Sequence, residues 1–565
     1  MKLVNGDQVK SLVKLISGYN RAAGTDEYHK IAEELSDYLS SNGIASDLIS
    51  FKKYKSDGLV KYGNLKTHKI WTRGESSLRL KKPYSRFLVS TRETPLSIVF
   101  GSVSTEGRKS YRLVEYGGDE SYKDKVVLTD KHPSDIFQEV VEKGKARGII
   151  SCHMRMKSEE IGRLPAQLST LTNYLRFPYH EKAITNKAFA FSVTHELFSF
   201  LKTTLKSNEE VEIEVEVNCQ LKSGDIEVLE IDLTNKQKGR YGIITAHLCH
   251  PSPGANDNAS GAALAIELCK ELMKNEYLPM KVVLVPEFSG SMPYAMELEN
   301  EDELPLFTIN LDMVGEDQEI TKGTLLLTET PPVLPQKETE LLYYYLKEGM
   351  PSYGFFPIKR FYRSPFMGGS DHCVFSAYGV PSPFIGHLPD KYYHSDYDRV
   401  ENIDPVELEW IGNAVLKTLN VNKRKEEDVN IYIGSQLIGR FMYYKQKLEG
   451  KPGSYELIQR MIKTFGIESF NISDLLGVKG LRSSQTPLIP KFEGTIGFDW
   501  KRGLPAELEP YKEETNSWAE FINVVSNVVG SRESVETLTS IYYKQSEETI
   551  SKLVDYLVDS GYFQT

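Results

Sequence analysis

Apolar residues recur at helical spacing over residues 9–16 and again over 28–40, where Ile31, Leu35, Tyr38 and Leu39 share a face and Asn42-Gly43 supplies a stop. Residues 48–54 then read as a strand. From about 70 to 221 the pattern shortens. Val126-Val127-Leu128 and Gly148-Ile149-Ile150 are buried-strand signals, and residues 134–145 place Ile136, Phe137, Val140 and Val141 on one side of a helix. Residues 211–217 alternate Val or Ile with Glu, as a half-exposed strand does. A longer rhythm resumes with strands at 226–233, 241–246, 281–285 and 306–311 and helices at 260–274 and 405–419. The charge run 423–428 reads as a linker. Residues 534–563 read as helix, turn, helix and an aromatic tail, Gly561-Tyr562-Phe563, in the manner of a winged helix.

Strands alternating with helices predict an α/β fold with a mixed, largely parallel central sheet covered by helices. Residues 1–69 and 222–425 form that unit. Residues 70–221 form a small inserted α/β unit, and residues 426–565 a mainly helical, winged-helix-like one. A length of 565 residues suits three such units.

Charge narrows the partners. Lys and Arg number 68 against 78 Asp and Glu, a net of −10. The last unit counts 15 against 20, and residues 547–559 carry Glu547, Glu548, Asp555 and Asp559 against a single Lys552. Such a helix repels phosphate, so no nucleic-acid partner is expected. Five cysteines with no C-x-x-C pair exclude a disulfide framework and a zinc ribbon, and imply a reducing compartment. Polar residues interrupt the first twenty positions, and no apolar run approaches eighteen residues. The expectation is a soluble, cytoplasmic chain with no signal peptide and no membrane partner. Self-association stays open.

Five of the eleven histidines fall between 247 and 394. His247 ends a strand, in Ala246-His247-Leu248-Cys249-His250-Pro251. Asp257 lies in Gly254-Ala255-Asn256-Asp257-Asn258-Ala259-Ser260-Gly261, ahead of a helix. Glu287 and Asp312 each follow a strand, and His394 lies in Tyr392-Tyr393-His394-Ser395-Asp396-Tyr397-Asp398. Each has an ordinary structural role when taken singly: a hydrogen-bonded His247, an N-cap loop around Asp257, a His250 that caps the Pro251 turn. Five in succession at strand ends or adjoining loops point to metal. Two imidazoles and three carboxylates offer donors at about 2.0–2.2 Å, and a shared carboxylate bridges two ions about 3.5–4 Å apart. The natural chemistry of such a site is amide hydrolysis.

The ordered motifs, with Gly368-Gly369-Ser370-Asp371-His372 and Asn310-Leu311-Asp312-Met313-Val314-Gly315 among them, resemble the co-catalytic zinc aminopeptidase family of bacterial leucyl aminopeptidases and the peptidase-like domains of glutamate carboxypeptidase and transferrin receptor. The resemblance covers about residues 8–70 and 225–420. It implies a mixed eight-stranded sheet and release of an amino-terminal residue from a peptide or small amide substrate. It also implies one or two zinc ions, with His247 and Asp312 on one, Glu287 and His394 on the other, and Asp257 between them. The insertion resembles a protease-associated domain, and the tail the winged-helix extension of a bacterial aminopeptidase-like subgroup.

Three departures from the family pattern stand out. Pro286 replaces the first of two adjacent glutamates, so Glu287 must serve as base or as ligand. The spacing from Glu287 to Gly290-Ser291 is short. Cys249 replaces an aspartate that would orient the first histidine. If Glu287 is a ligand, His250 is the nearest candidate base, since an ordinary imidazole titrates at about 6.5. Asp371 and Tyr393 are candidates for the substrate side, with Tyr393 expected chiefly to pack and His372 to be structural. Hydrolysis of a non-peptide amide or ester conjugate, or an inactive interaction role on the same fold, stand as alternatives.

Overall fold

The computed structural model of the chain describes residues 3–178, 180–234, 240–465, 486–491, 494–496 and 504–565. Helix Gly6–Ser17 begins where the Asn5 side chain accepts from the Asp7 and Gln8 amides, and helix Asp26–Ser41 begins where Thr25 accepts from Tyr28. Both bury the apolar stripes that predicted them.

The large sheet has eight strands, in spatial order Ile49–Ser56, Gly224–Leu233, Met280–Val285, Gly242–His247, Phe307–Leu311, Phe384–Leu388, Thr324–Thr328 and Phe361–Ser364. The four from Met280–Val285 to Phe384–Leu388 run parallel. Antiparallel pairs flank them on both sides. One face carries Gly6–Ser17, Gly261–Leu272 and Pro405–Leu419, packed on Ile244, Leu284 and Ile309. The other carries Ser291–Asn300 and His372–Ala377, packed on Val283 and Val285. This is the mixed, helix-covered sheet that the sequence predicts.

A second sheet of seven strands is built within residues 77–216 around its own core. The chain enters and leaves this unit through the antiparallel pair Ile70–Arg73 and Cys219–Lys222. The helix expected over 134–145 starts as Pro133–Phe137 and widens into a π-type turn over Gln138–Lys143.

The charge run 423–428 is not a linker. Lys423–Lys425 makes one tight turn, and Glu427 opens a helix that runs to Leu448. Glu427 and Asp428 sit in its first turn, where the helix dipole favours acid. Val429, Ile433, Leu437 and Phe441 from this helix, and Trp518, Phe521 and Leu538 from later helices, belong to the same core as the large sheet. Arg440 joins Arg363 on the half-buried carboxylate of Glu329, tying the two regions together. Helices Arg532–Tyr543 and Glu547–Asp559 and the pairing of Phe563–Gln564 with Ile489–Pro490 account for the end of the chain. No helix of the described residues is long and apolar enough to cross a membrane.

Candidate metal centre

Parallel strands end together, and the carboxyl edge of such a sheet is where ligands gather. Here His247 closes Gly242–His247, Glu287 follows Met280–Val285, and Asp312 follows Phe307–Leu311. Asp257 comes from the turn Ala255–Ser260, where it and Asn258 leave helical backbone angles. Asn258 fixes this turn to the sheet. Its Oδ1 accepts from the Gly261 and Met313 amides at 2.9 and 3.0 Å, and its Nδ2 donates to the Leu311 carbonyl at 2.9 Å. Asp398 fixes it from the other side, accepting from the Asn256 and Asp257 amides at 2.7 and 3.0 Å. Asp398→Asn is therefore expected to weaken metal binding about 10–100-fold, read by equilibrium dialysis against zinc.

Ligand-type atoms gather in two groups, His247 with Glu287 and Asp312, and His250 with Asp257 and His394, each within 4.8 Å of one another. Asp257 joins them. Its Oδ1 is 3.1 Å from His247 Nε2, and its Oδ2 is 3.0 Å from His394 Nε2 and 3.6 Å from His250 Nε2. His247 Nε2 is also 3.2 Å from Asp312 Oδ1. The structure thus groups Glu287 with His247 and Asp312, whereas the family resemblance pairs it with His394.

Burial alone would lower the His247 pKa. Asp312 and hydrogen bonds to Asp257, Asp312 and the Cys249 carbonyl outweigh it and hold the pKa well above the usual value. Burial would likewise raise Asp257, but His250, His247 and His394 hold it well below. Glu287 goes the other way. Burial, reinforced by Asp371, Asp312 and Asp257, pushes its carboxyl well above the usual range. A buried group of carboxylates in which one is driven towards protonation is short of positive charge.

Cys249 carries the orienting task by backbone. Its carbonyl is 3.0 Å from His247 Nδ1, which directs the Nε2 lone pair inward, while its Sγ accepts from the Glu287 amide at 3.1 Å. Asp371, expected on the substrate side, lies fully buried beneath the Glu287 turn. Its Oδ1 accepts from the Phe288 amide at 2.8 Å and from Ser291 Oγ at 2.5 Å. Burial pushes its pKa up to about 6. Tyr393 stacks on His394 with ring centroids 3.8 Å apart. His372 bonds the Met367 carbonyl at 2.6 Å and is structural.

Two contributors escape the motif pattern. Tyr174, from the inserted unit, places its ring 5.4 Å from that of His250 and 5.2 Å from that of His394, and its amide donates to the His394 carbonyl. Arg21, fully buried, donates to the carbonyls of Leu248, Ile16, Pro253 and Gly254 at 2.8–3.2 Å and so braces the loop after His247. Arg21→Ala removes these charged hydrogen bonds from the loop. It is expected to cost about 3 kcal/mol of stability, read as a lowered thermal midpoint of the zinc-free protein.

Residues 229–419 match the model of Peptidase family M28, which supports a hydrolytic enzyme. No curated protein matches the chain. Among solved structures, a zinc aminopeptidase from Bacillus subtilis is similar at 16% identity and a TM-score of 0.53, over 76% of this chain and 98% of that one. A Peptidase M28 precursor from Shewanella amazonensis gives 18% and 0.50, over 74% and 92%. An inferred peptidase from Clostridium acetobutylicum gives 14% and 0.51, over 99% and 96%. At these identities the likeness is one of fold.

Proposed function

We propose that the chain is a zinc-dependent aminopeptidase that releases the first residue of a peptide. The observation that carries this reading is the shared carboxylate of Asp257, with one oxygen on His247 and the other on His394 and His250. The match to Peptidase family M28 supports the metal-dependent peptidase part of it.

The residues present fit the metal. The donors are imidazole nitrogen and carboxylate oxygen throughout, the set that suits zinc, and His250 Nε2 is buried and without a hydrogen-bond partner. His247, Asp257, Asp312 and His394 would hold the ions. A divalent ion bound there supplies Lewis acidity, polarising a carbonyl and making water acidic enough to attack near neutral pH.

The chain's own residues do the rest. Asn258 and Asp398 hold the Asp257 turn rigid, and the Cys249 carbonyl fixes the His247 ring. His247, His250, Asp257 and Asp312 are buried, and the Tyr174 ring packs beside His250 and His394. The test is release of the first residue from a peptide with a free amine and from its acetylated twin. The free peptide is expected to be cleaved at least about 100-fold faster. Equal rates would remove the aminopeptidase assignment.

A further inference from the structure

We infer that His250 completes the second metal site, with Asp257 and His394, and that this leaves the lone Glu287 free to carry the proton of the reaction. The inference deepens the proposed function and rests on its metal site.

The sequence poses a problem that the geometry solves. Glu287 follows Pro286 at the end of its strand, so a single carboxylate there faces two tasks, ligand and base. His250 lies on the far side of Asp257 from His247. Its Nδ1 is 2.6 Å from the Pro251 carbonyl, and that contact makes Nδ1 the protonated nitrogen and leaves a lone pair on Nε2. That Nε2 is buried, has no hydrogen-bond partner, and lies 3.6 Å from Asp257 Oδ2, the same oxygen that His394 Nε2 meets at 3.0 Å. An unpartnered buried nitrogen is costly unless something else occupies its lone pair. The local backbone keeps it there. Gly254 sits at φ 51°, and a Cβ at that position would lie 2.3 Å from His250 Nδ1, so glycine is required for the ring to hold this place. The Tyr174 ring packs edge-on against it.

Glu287 is differently placed. Its ligand-type atoms approach His247 and Asp312, not the His250 group. With His247, Asp312 and Asp257 Oδ1 on the first site and His250, His394 and Asp257 Oδ2 on the second, each has three protein donors without Glu287. Its carboxylate then takes a proton from the attacking water and passes it to the amide nitrogen. The C–N bond breaks, the amine leaves, and the water oxygen stays on the new carboxyl group.

The test measures zinc bound per chain, by equilibrium dialysis and elemental analysis, in the wild type, His250→Ala, His250→Gln and Glu287→Gln, with thermal unfolding as the check on folding. The wild type is expected to bind two ions. Both His250 variants should bind the second ion at least about tenfold more weakly, and Glu287→Gln should keep both ions while losing turnover. Cobalt substitution gives an independent reading, because the visible absorption of the second ion should change in the His250 variants alone. A wild type that holds fewer than two ions, a Glu287→Gln protein that loses one, or folded His250 variants that keep both at unchanged affinity would each overturn the inference. Two tightly bound ions in a protein that cleaves no peptide would remove the peptidase reading while leaving this site intact.

Discussion

Replacing Asp257 by alanine is expected to abolish hydrolysis, with kcat/KM falling about a thousandfold or more, and to empty the centre of metal. The size follows from position. Asp257 is the one carboxylate that both groups of ligand atoms share, with Oδ1 at His247 and Oδ2 at His394. Its loss removes a donor from each site at once, and each 1.4 kcal/mol of lost Lewis-acid stabilisation is a factor of ten in rate. The turn itself should survive, because Asn258 still bonds Gly261, Met313 and Leu311, and Asp398 still accepts from the Asn256 amide. Zinc content and peptide hydrolysis of a variant with an unchanged circular dichroism spectrum check this. A folded Asp257→Ala protein with near wild-type turnover would be incompatible with the site described.

The second large effect is expected from truncation. A chain ending at residue 426 should not fold to a stable, soluble form, although it keeps every ligand. Leu437, Phe441, Leu457, Trp518, Phe521 and Leu538 lie in the same core as the large sheet, so cutting there exposes a broad apolar face. Glu329, with Arg440 removed, would lose one of its two half-buried arginine partners. The helices also reach towards the site. Tyr542 accepts from the Phe366 amide at 2.7 Å, Tyr543 donates to the Phe366 carbonyl at 2.7 Å, and Ser517 accepts from the Gly368 amide at 3.0 Å. That segment leads into Asp371, which holds the Glu287 turn. Aggregation on expression, against a monodisperse full-length protein, is the expected contrast. A soluble truncated protein with an unchanged thermal midpoint would show that the two regions are energetically separate.

The legible parts of the fold were those where one residue pattern decides the outcome. Strands buried on both faces, such as Gly242–His247 and Met280–Val285, are mostly apolar runs interrupted only by Thr245, His247 and Lys281, and the stripe and Pro405 start of Pro405–Leu419 fix that helix. Edge and short strands were not legible. Phe361–Ser364 lies at a sheet edge with a mixed burial pattern, and Arg86–Ser90 is largely exposed at one edge of the smaller sheet. The charge run at 423–428 misled because acid at a helix start resembles a solvated linker until the buried face from Val429 onward is known.

At the site, residue type and position at strand ends or in adjoining loops bring forward His247, Asp257, Glu287, Asp312 and His394. Grouping them needs distances. Glu287 lies with His247 and Asp312, and His250 turns to the Asp257 and His394 side, because the Pro251 carbonyl fixes its ring. Cys249 looked like a lost orienting group, but the carbonyl of the same residue meets His247 Nδ1. Tyr174 and Arg21 carry no local signal, since each reaches the site from another part of the chain.

Metal-dependent release of an amino-terminal residue is the central claim, and one titration tests it most directly. Hydrolysis of a free-amine peptide is followed as zinc is stripped by a chelator, dialysed out, and then returned in steps to a measured content per chain. Activity is expected to vanish on stripping and to return with zinc occupancy, reaching its full value when the centre is filled. Undiminished hydrolysis by protein shown to contain no metal would contradict the account.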